Sequence, residues 1–369
     1  MRVGVIGCGN ISAAYLNNLC ASPDVEVLAC ADAIPDRARS RAAEFGVPRA
    51  CTTVELLADP NIELVVNLTV PNAHAAIAMA ALEAGKHIYN EKPLATTTDD
   101  GLHVLEEAES RGLVVGGAPD TFLGAGIQTC LKLIADGEVG EPLAASAFML
   151  NRGPENSHED PAFFFRTGAG PLLDMGPYYV TTLICAFGPV RRVTAIARIL
   201  YPSRTATRGP RAGTTFEVTV PTFVSASLEF ARGAIASLVT SFGISGHDLP
   251  NIQLYCSGGI LSMPDPNTFG GPVALRDGAE GATWRDVPLL YRHTDSRAAR
   301  NFRGLGVAEM ARAIRRGEQP RASGRLAFHS LEVMLSILES GATGRHVTIS
   351  STCDRPPLMP LDADRELAR

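Results

Sequence analysis

Three residues stand out for the chemistry they could do: Lys92, Asp174 and Tyr178. Lys92 lies in the stretch Tyr89-Asn90-Glu91-Lys92-Pro93. The chain has three lysines, Lys86, Lys92 and Lys132, against 30 arginines. Where a fixed cation suffices, this sequence uses arginine. An amine differs because it can lose its proton when desolvated, whereas a guanidinium effectively cannot. Lys92 is therefore a candidate proton-handling group, with a solvated loop charge as the alternative. Asp174 and Tyr178 fall within Gly168-Ala169-Gly170-Pro171-Leu172-Leu173-Asp174-Met175-Gly176-Pro177-Tyr178-Tyr179. They are residues i and i+4, so a helix puts them on one face. An acid and a phenol so placed can orient an amine and relay a proton. The plainer alternative is a helix start with Asp174 near the cap and Tyr178 in the core.

A proton-handling group needs a reacting partner, and the start of the chain offers a place for one. The apolar strand Val3-Gly4-Val5-Ile6 runs into Gly7-Cys8-Gly9-Asn10-Ile11-Ser12 and then a helix to about Asn18. This Gly-x-Gly-x-x-Ser stretch is a variant of the dinucleotide fingerprint. The first glycine permits a tight turn, and the second lets the backbone approach a pyrophosphate held at the helix N-terminus. Gly7, Gly9, Asn10, Ile11 and Ser12 are the expected contacts. The next strand, 25–31, ends at Asp32, 23 residues after Gly9. An acid there accepts the ribose hydroxyls and repels a 2′-phosphate, which favours NAD; Arg37 nearby keeps NADP open. Asp32 could also cap the helix ahead of Pro35.

These residues need a frame that brings them together. Leu64 to Val70 is a near-continuous apolar run, as a central parallel strand should be. Pro71-Asn72-Ala73-His74 opens an Ala-rich helix that Gly85 ends. His87-Ile88-Tyr89 is the following strand, and Lys92 sits just past its carboxyl end. A helix over about 99–111, the strand 113–116 and Asp120 complete the alternation. In an open parallel sheet ligands bind outside the carboxyl ends of the strands. Gly9, Asp32, Thr69, Asn72 and Lys92 are thus all expected on one edge.

From about residue 121 the pattern changes. A helix over about 124–136 is followed by strand-like segments at 143–150, 190–200, 214–220, 222–230, 233–242, 252–257 and 259–263, without helices between most of them. Such runs predict a largely antiparallel sheet. A loop from Asn151 to Thr167 and the helix beginning near Gly170 interrupt it. Within that loop, Ser157-His158-Glu159-Asp160-Pro161-Ala162-Phe163-Phe164-Phe165-Arg166 has sugar-binding residue types and is either a substrate lid or a loop anchored by its phenylalanines. His158 and Asp160 lack a third ligand at helpful spacing for a metal. Two helices, about 305–316 and 324–341, and a Pro-rich tail close the chain. The division expected is 1–120 and 121–369, an α/β protein with a doubly wound parallel sheet followed by an α/β domain whose open sheet is mostly antiparallel.

The bulk properties fit. The 369 residues suit two domains. A net charge of −6 argues against nucleic acid or an anionic membrane as the partner. No apolar run reaches a membrane span, and Met1-Arg2 leads straight into a strand, leaving no room for a signal peptide. None of the eight cysteines forms Cys-x-x-Cys, and several sit in apolar segments as small hydrophobes. A reducing cytoplasm is expected.

Taken together, Gly7-Cys8-Gly9-Asn10-Ile11-Ser12, Thr69-Val70-Pro71-Asn72-Ala73-His74, Ala84-Gly85-Lys86-His87 leading into Glu91-Lys92-Pro93, and Asp174-x-Gly-x-Tyr178 resemble the glucose–fructose oxidoreductase / inositol dehydrogenase (Gfo/Idh/MocA) family over nearly the whole chain. The resemblance implies a Rossmann domain, an open-sheet second domain that commonly forms a homodimer or homotetramer interface, and hydride transfer between NAD(P) and a hydroxyl or carbonyl carbon of a sugar, cyclitol or glycoside. It implies a catalytic Lys92 with a cis Lys92–Pro93 bond, and a catalytic Asp174. Thr69, Asn72, His74, Glu91 and Lys92 complete the expected cofactor contacts, and Lys92, Asp120, His158, Asp174 and Tyr178 the substrate contacts. Tyr178 departs from the His found in many sugar and inositol dehydrogenases; a Tyr resembles the glucose–fructose oxidoreductase and dihydrodiol dehydrogenase branch. The proton acceptor, Lys92 or Tyr178, stays open, as does a non-catalytic dinucleotide-dependent regulatory protein on the same scaffold.

Overall fold

The computed structural model describes residues 1–156, 158, 160–291 and 301–360. Ser157 and Glu159 of the expected lid lie outside the described residues. The chain forms two compact units. One comprises the described residues of Met1–Ala125, Leu290–Leu331 and Pro356–Arg369, the other Gly126–Leu289 and Glu332–Arg355. The single cut expected at residue 120 thus meets a chain that returns to its first unit after the second is built.

The first unit opens with β1 (Arg2–Ile6), α1 (Ser12–Leu19), β2 (Glu26–Ala31), α2 (Pro35–Phe45), β3 (Arg49–Cys51) and α3 (Thr53–Ala58). It continues with β4 (Leu64–Asn67), α4 (Pro71–Glu83), β5 (His87–Asn90), α5 (Thr98–Ser110) and β6 (Val115–Gly117). The six strands pair in parallel in the order β3-β2-β1-β4-β5-β6. All four residues of β4 are buried, which explains its unbroken apolar reading. β4 stops at Asn67, three residues before the apolar run does, because the Asn67 side chain turns back to bond the Thr69 amide and hydroxyl. Local chemistry sets the helix ends. α2 starts with Pro35 in its first turn and ends on Gly46 at φ +69°. α3, which the sequence reading passed over, starts on a reciprocal Thr52–Glu55 capping box.

The second unit holds most of α6 (Ala125–Ala135), then β7 (Pro142–Leu150), α7 (Pro171–Phe187), β8 (Val190–Arg198), β9 (Ser203–Thr205) and β10 (Thr215–Glu217). Five strands follow: β11 (Phe223–Phe230), β12 (Ile235–Ser241), β13 (Ile252–Cys256), β14 (Gly259–Met263) and β15 (Ala274–Asp277), with the short β16 (Arg285–Asp286) after them. Its nine-stranded sheet runs β16-β15-β14-β13-β7-β12-β11-β8-β17, the last being Val347–Thr348. Every pair is antiparallel except β12 with β7. The segment read as a strand over 214–220 is instead half of a separate two-stranded hairpin, with Thr215–Glu217 against Ser203–Thr205. α7 is buried along nearly its whole length and packs on β7, β11 and β12. α8 (Leu305–Arg316) returns to the first unit, and α9 (Gly324–Thr343) begins there.

Candidate functional site

Because the six strands of the first unit are parallel, their carboxyl ends share one edge. Gly7–Gly9 follow β1, Asp32 follows β2, Thr69 and Asn72 follow β4, Glu91 and Lys92 follow β5, and Asp120 follows β6. This is the convergence expected from the sequence.

The glycine loop fits a dinucleotide. Gly7 has φ +99°, and a Cβ there would lie 2.5 Å from the Leu68 carbonyl carbon, so only glycine passes. At Gly9 a Cβ would meet nothing within 4 Å, leaving the backbone open to an approaching ligand. α1 begins with no side-chain cap, and its first turn closes on the backbone, the Ser12 amide donating to the Gly9 carbonyl at 3.3 Å and the Ala14 amide to the Ile11 carbonyl at 3.1 Å. Ser12 is buried and its hydroxyl donates to the Gly9 carbonyl at 2.6 Å, while Asn10 is exposed and Ile11 half-buried. Asp32 does not cap α2, whose N-cap is Ile34. Its carboxylate receives the Cys8 amide at 2.7 Å on one oxygen and the Ile34 amide at 2.8 Å on the other. That holds it rigidly beside the loop, with lone pairs left for ribose hydroxyls. Arg37 is exposed on α2. Arg41, one turn further along the same face, reaches the loop instead, donating from Nε to Ser12 Oγ at 3.2 Å. The sequence reading missed it, although its i+4 spacing from Arg37 was a usable signal.

Lys92 is half-buried, and its peptide bond to Pro93 is cis, as the resemblance implied. The loop around it is held by buried polar bonds. Glu91 Oε2 receives the Lys92 amide at 2.8 Å, and Glu91 Oε1 receives the Tyr15 hydroxyl at 2.9 Å. Burial first, then the Glu91 charge, pushes the Tyr15 phenol well above its ordinary value, so it remains a donor. The His74 ring lies between the Pro93 carbonyl, 2.6 Å from Nδ1, and the Thr69 carbonyl, 3.0 Å from Nε2. Burial lowers its pKa against the pull of those carbonyls. Asn67 donates to Asn90 Oδ1 at 2.9 Å, and Asn90 donates to the Leu94 carbonyl at 3.2 Å. His74, expected as a cofactor contact, is thus buried beneath the loop it braces, whereas Asn72 is exposed at the start of α4.

The other two lysines are in structural pairings. Lys86 is buried and donates to the carbonyls of Asp59 and Ile62 at 2.7 and 2.8 Å. Lys132 pairs with Asp136 one turn along α6. Asp120, expected to touch substrate, is buried and receives the amides of Gly304 and Gly306, both at 3.0 Å. Its carboxyl thereby caps the start of α8, and burial pushes its pKa up to about 6.

In the second unit Asp174 and Tyr178 lie one turn apart near the start of α7, with Asp174 half-buried and Tyr178 buried. The helix starts on Gly170 at φ +92°, where a Cβ would press on Val220 and the Pro221 carbonyl at 3.2–3.3 Å. The loop before it is pinned by aromatic packing. Phe165 lies 5.5 Å from Phe216 and 5.9 Å from Phe242. The Arg204 guanidinium sits 5.2 Å over Phe165, donates to the carbonyls of Phe242 and Arg152 at 2.6 and 2.5 Å, and pairs with Glu155. His158 Nδ1 receives the Asp160 amide at 3.1 Å and meets Phe164 edge-on at 4.9 Å. Phe165 therefore anchors the loop, while Phe163 and Arg166 are exposed.

The first unit is a Rossmann domain built to bind NAD(P), joined to an open-sheet α/β unit, and comparison with known proteins agrees. Residues 1–117 match the oxidoreductase family, NAD-binding Rossmann fold, and residues 127–262 match the GFO/IDH/MocA C-terminal domain. The chain belongs to the Gfo/Idh/MocA family and is an NAD(P)-dependent oxidoreductase of that family. It is 26% identical to the 1,5-anhydro-D-fructose reductase of Ensifer adhaerens over 357 residues, covering 95% of this chain and 99% of that protein. It is 27% identical to a D-xylose 1-dehydrogenase (NADP(+)) of Haloferax volcanii over 358 residues, covering 95% of this chain and all of that one. Its fold superposes on levoglucosan dehydrogenase in complex with NADH and levoglucosan with a TM-score of 0.81 at 22% identity, covering 95% of this chain and 99% of the other. Among the described residues no helix is long and apolar enough to cross a membrane.

Proposed function

We propose that this protein oxidises or reduces a CH–OH centre of a sugar, cyclitol or glycoside, with NAD as the preferred cofactor. The observation that carries the reading is the Lys92 loop. Lys92 follows β5, at the carboxyl ends of the parallel strands, in a peptide braced by Glu91 and His74, which supports a proton-handling role. The full-length likeness to sugar reductases and dehydrogenases supports the substrate class. Asp32, with its oxygens presented beside the glycine loop, supports NAD over NADP.

Gly7, Gly9 and the first turn of α1 would hold the pyrophosphate, and Asp32 the adenosine ribose. The bound nicotinamide supplies the hydride acceptor or donor. Lys92 or Tyr178 takes the proton of the reacting hydroxyl. Asp174 is the candidate to bind a second hydroxyl. Proton transfer of this kind contributes about 10²–10⁴-fold in rate. The role of Tyr178 also keeps an aromatic dihydrodiol within the substrate panel.

The test is a screen of sugars, inositols, glycosides and diols with NAD and, separately, NADP, followed at the nicotinamide absorbance band. With the best substrate, Lys92→Ala is expected to lose at least ~10²-fold in turnover while still binding NAD. Tyr178→Phe distinguishes the two acceptors: a loss as large as that of Lys92→Ala assigns the proton to the phenol. Near-normal turnover in Lys92→Ala rejects the reading.

A further inference from the structure

Lys92 is braced from α1 by a residue that no motif singles out. Tyr15 is fully buried on the helix whose first turn is the expected pyrophosphate site. Its hydroxyl donates to one oxygen of Glu91, and the other oxygen receives the Lys92 amide. A single buried carboxylate therefore ties the cofactor helix to the lysine peptide. We propose that Tyr15 is a positioning residue for Lys92, acting through Glu91: it fixes the lysine loop relative to α1 and sets the negative charge that the amine experiences.

The inference rests on the reading of Lys92 as the proton-handling group, and its physical basis is direct. A donor on a carboxylate draws charge toward itself. Removing the donor leaves more negative charge on the Glu91 carboxylate, one residue before Lys92, and favours the cationic form of the Lys92 amine. Removing the carboxylate does the reverse. The other ionisable groups that act on Glu91 or its phenol are His74 from α4, Asp120 after β6, Tyr89 from β5 and Arg303 ahead of α8. Tyr15→Phe leaves each of these side chains in the sequence. The ring of Phe fills the same buried space, so the substitution deletes one hydrogen bond and little else.

The scarcity of lysine makes the test direct. In the full chain carrying ¹³C-labelled lysine, three side-chain resonances are expected, and the one missing in Lys92→Ala belongs to Lys92. Its titration midpoint is measured by NMR with NAD present, and NAD affinity checks the fold. Tyr15→Phe is expected to raise the midpoint by about half a unit or more, and Glu91→Gln to lower it. Tyr15→Phe is expected to have no further effect once Glu91→Gln is in place. A midpoint unmoved by Tyr15→Phe, or moved equally in both backgrounds, overturns the proposal. Should Tyr15→Phe no longer bind NAD, Glu91→Gln decides alone, and an unmoved midpoint there overturns it. This cycle needs no substrate, so its failure is distinct from that of the catalytic reading, which normal turnover in Lys92→Ala would overturn.

Discussion

The Lys92 loop and the loop ahead of α7 are both positioned by buried side chains, but by different forces. Around Lys92 the fixing contacts are directional: Tyr15 to Glu91, Glu91 to the lysine amide, His74 to Pro93, Asn67 to Asn90. Ahead of α7 they are mainly contacts of volume, with the Phe165 ring set among Phe216, Phe242 and the Arg204 guanidinium. Hydrogen bonds specify where an atom sits and tolerate little change in chemistry. Apolar packing specifies shape and tolerates exchange at constant volume.

Substitutions at three positions sharpen that contrast, after the turnover loss expected for Lys92→Ala. The largest effect is expected at Phe165, where Ala should cost about 3–5 kcal/mol of stability and Leu markedly less. Denaturant unfolding followed by Trp284 fluorescence measures both, and equal costs would show that the ring's shape is not what holds the loop. A smaller effect is expected at Asn67. Its Ala variant leaves the Asn90 oxygen and the Thr69 amide without a buried partner, at about 1–3 kcal/mol per unsatisfied group, read by the same unfolding experiment. A loss no greater than that of an exposed Asn→Ala change would remove the directional half of the comparison.

The smallest effect concerns pH. Burial raises the Asp120 carboxyl from its ordinary 3.8 to about 6. The folded protein therefore binds this proton more tightly than the unfolded chain does. Its contribution to stability is fully present below about pH 4 and is lost as pH rises toward 6. Asp120→Asn keeps an acceptor for the Gly304 and Gly306 amides but has nothing to titrate. Stability measured from pH 4 to 6 is expected to decline less in the variant, by at most on the order of 1.4 kcal/mol per pH unit. Parallel pH profiles for the two proteins would show that the carboxyl is not perturbed.

Features governed by neighbours in sequence were legible before the structure was. The turn at Gly7, the acid at Asp32 and the helix carrying Asp174 and Tyr178 all follow from local residue types and spacing. The cis peptide at Lys92–Pro93 was legible only through the family likeness. What was missed depends on partners far along the chain. Glu91 meets Tyr15 from 76 positions away, and Asp120 meets Gly304 from 184. Arg41 reaches Ser12 across two helices, and Ser203–Thr205 finds Thr215–Glu217 in a hairpin too short to show a strand period. Periodicity reports which face of an element is apolar, not which distant polar atom will meet it.

The late return of the chain bears on how its first half could ever be used alone. β6 is the outermost strand of the parallel sheet, and its free side is taken by residues from beyond position 300: the Gly117 amide bonds the Ala322 carbonyl, and Gly116 bridges to Ser323. A fragment ending near residue 120 would leave that rim as a bare template, which in solution recruits other strands. Anyone seeking an autonomous nucleotide-binding module from this protein should therefore graft the distal helix and its lead-in onto the fragment.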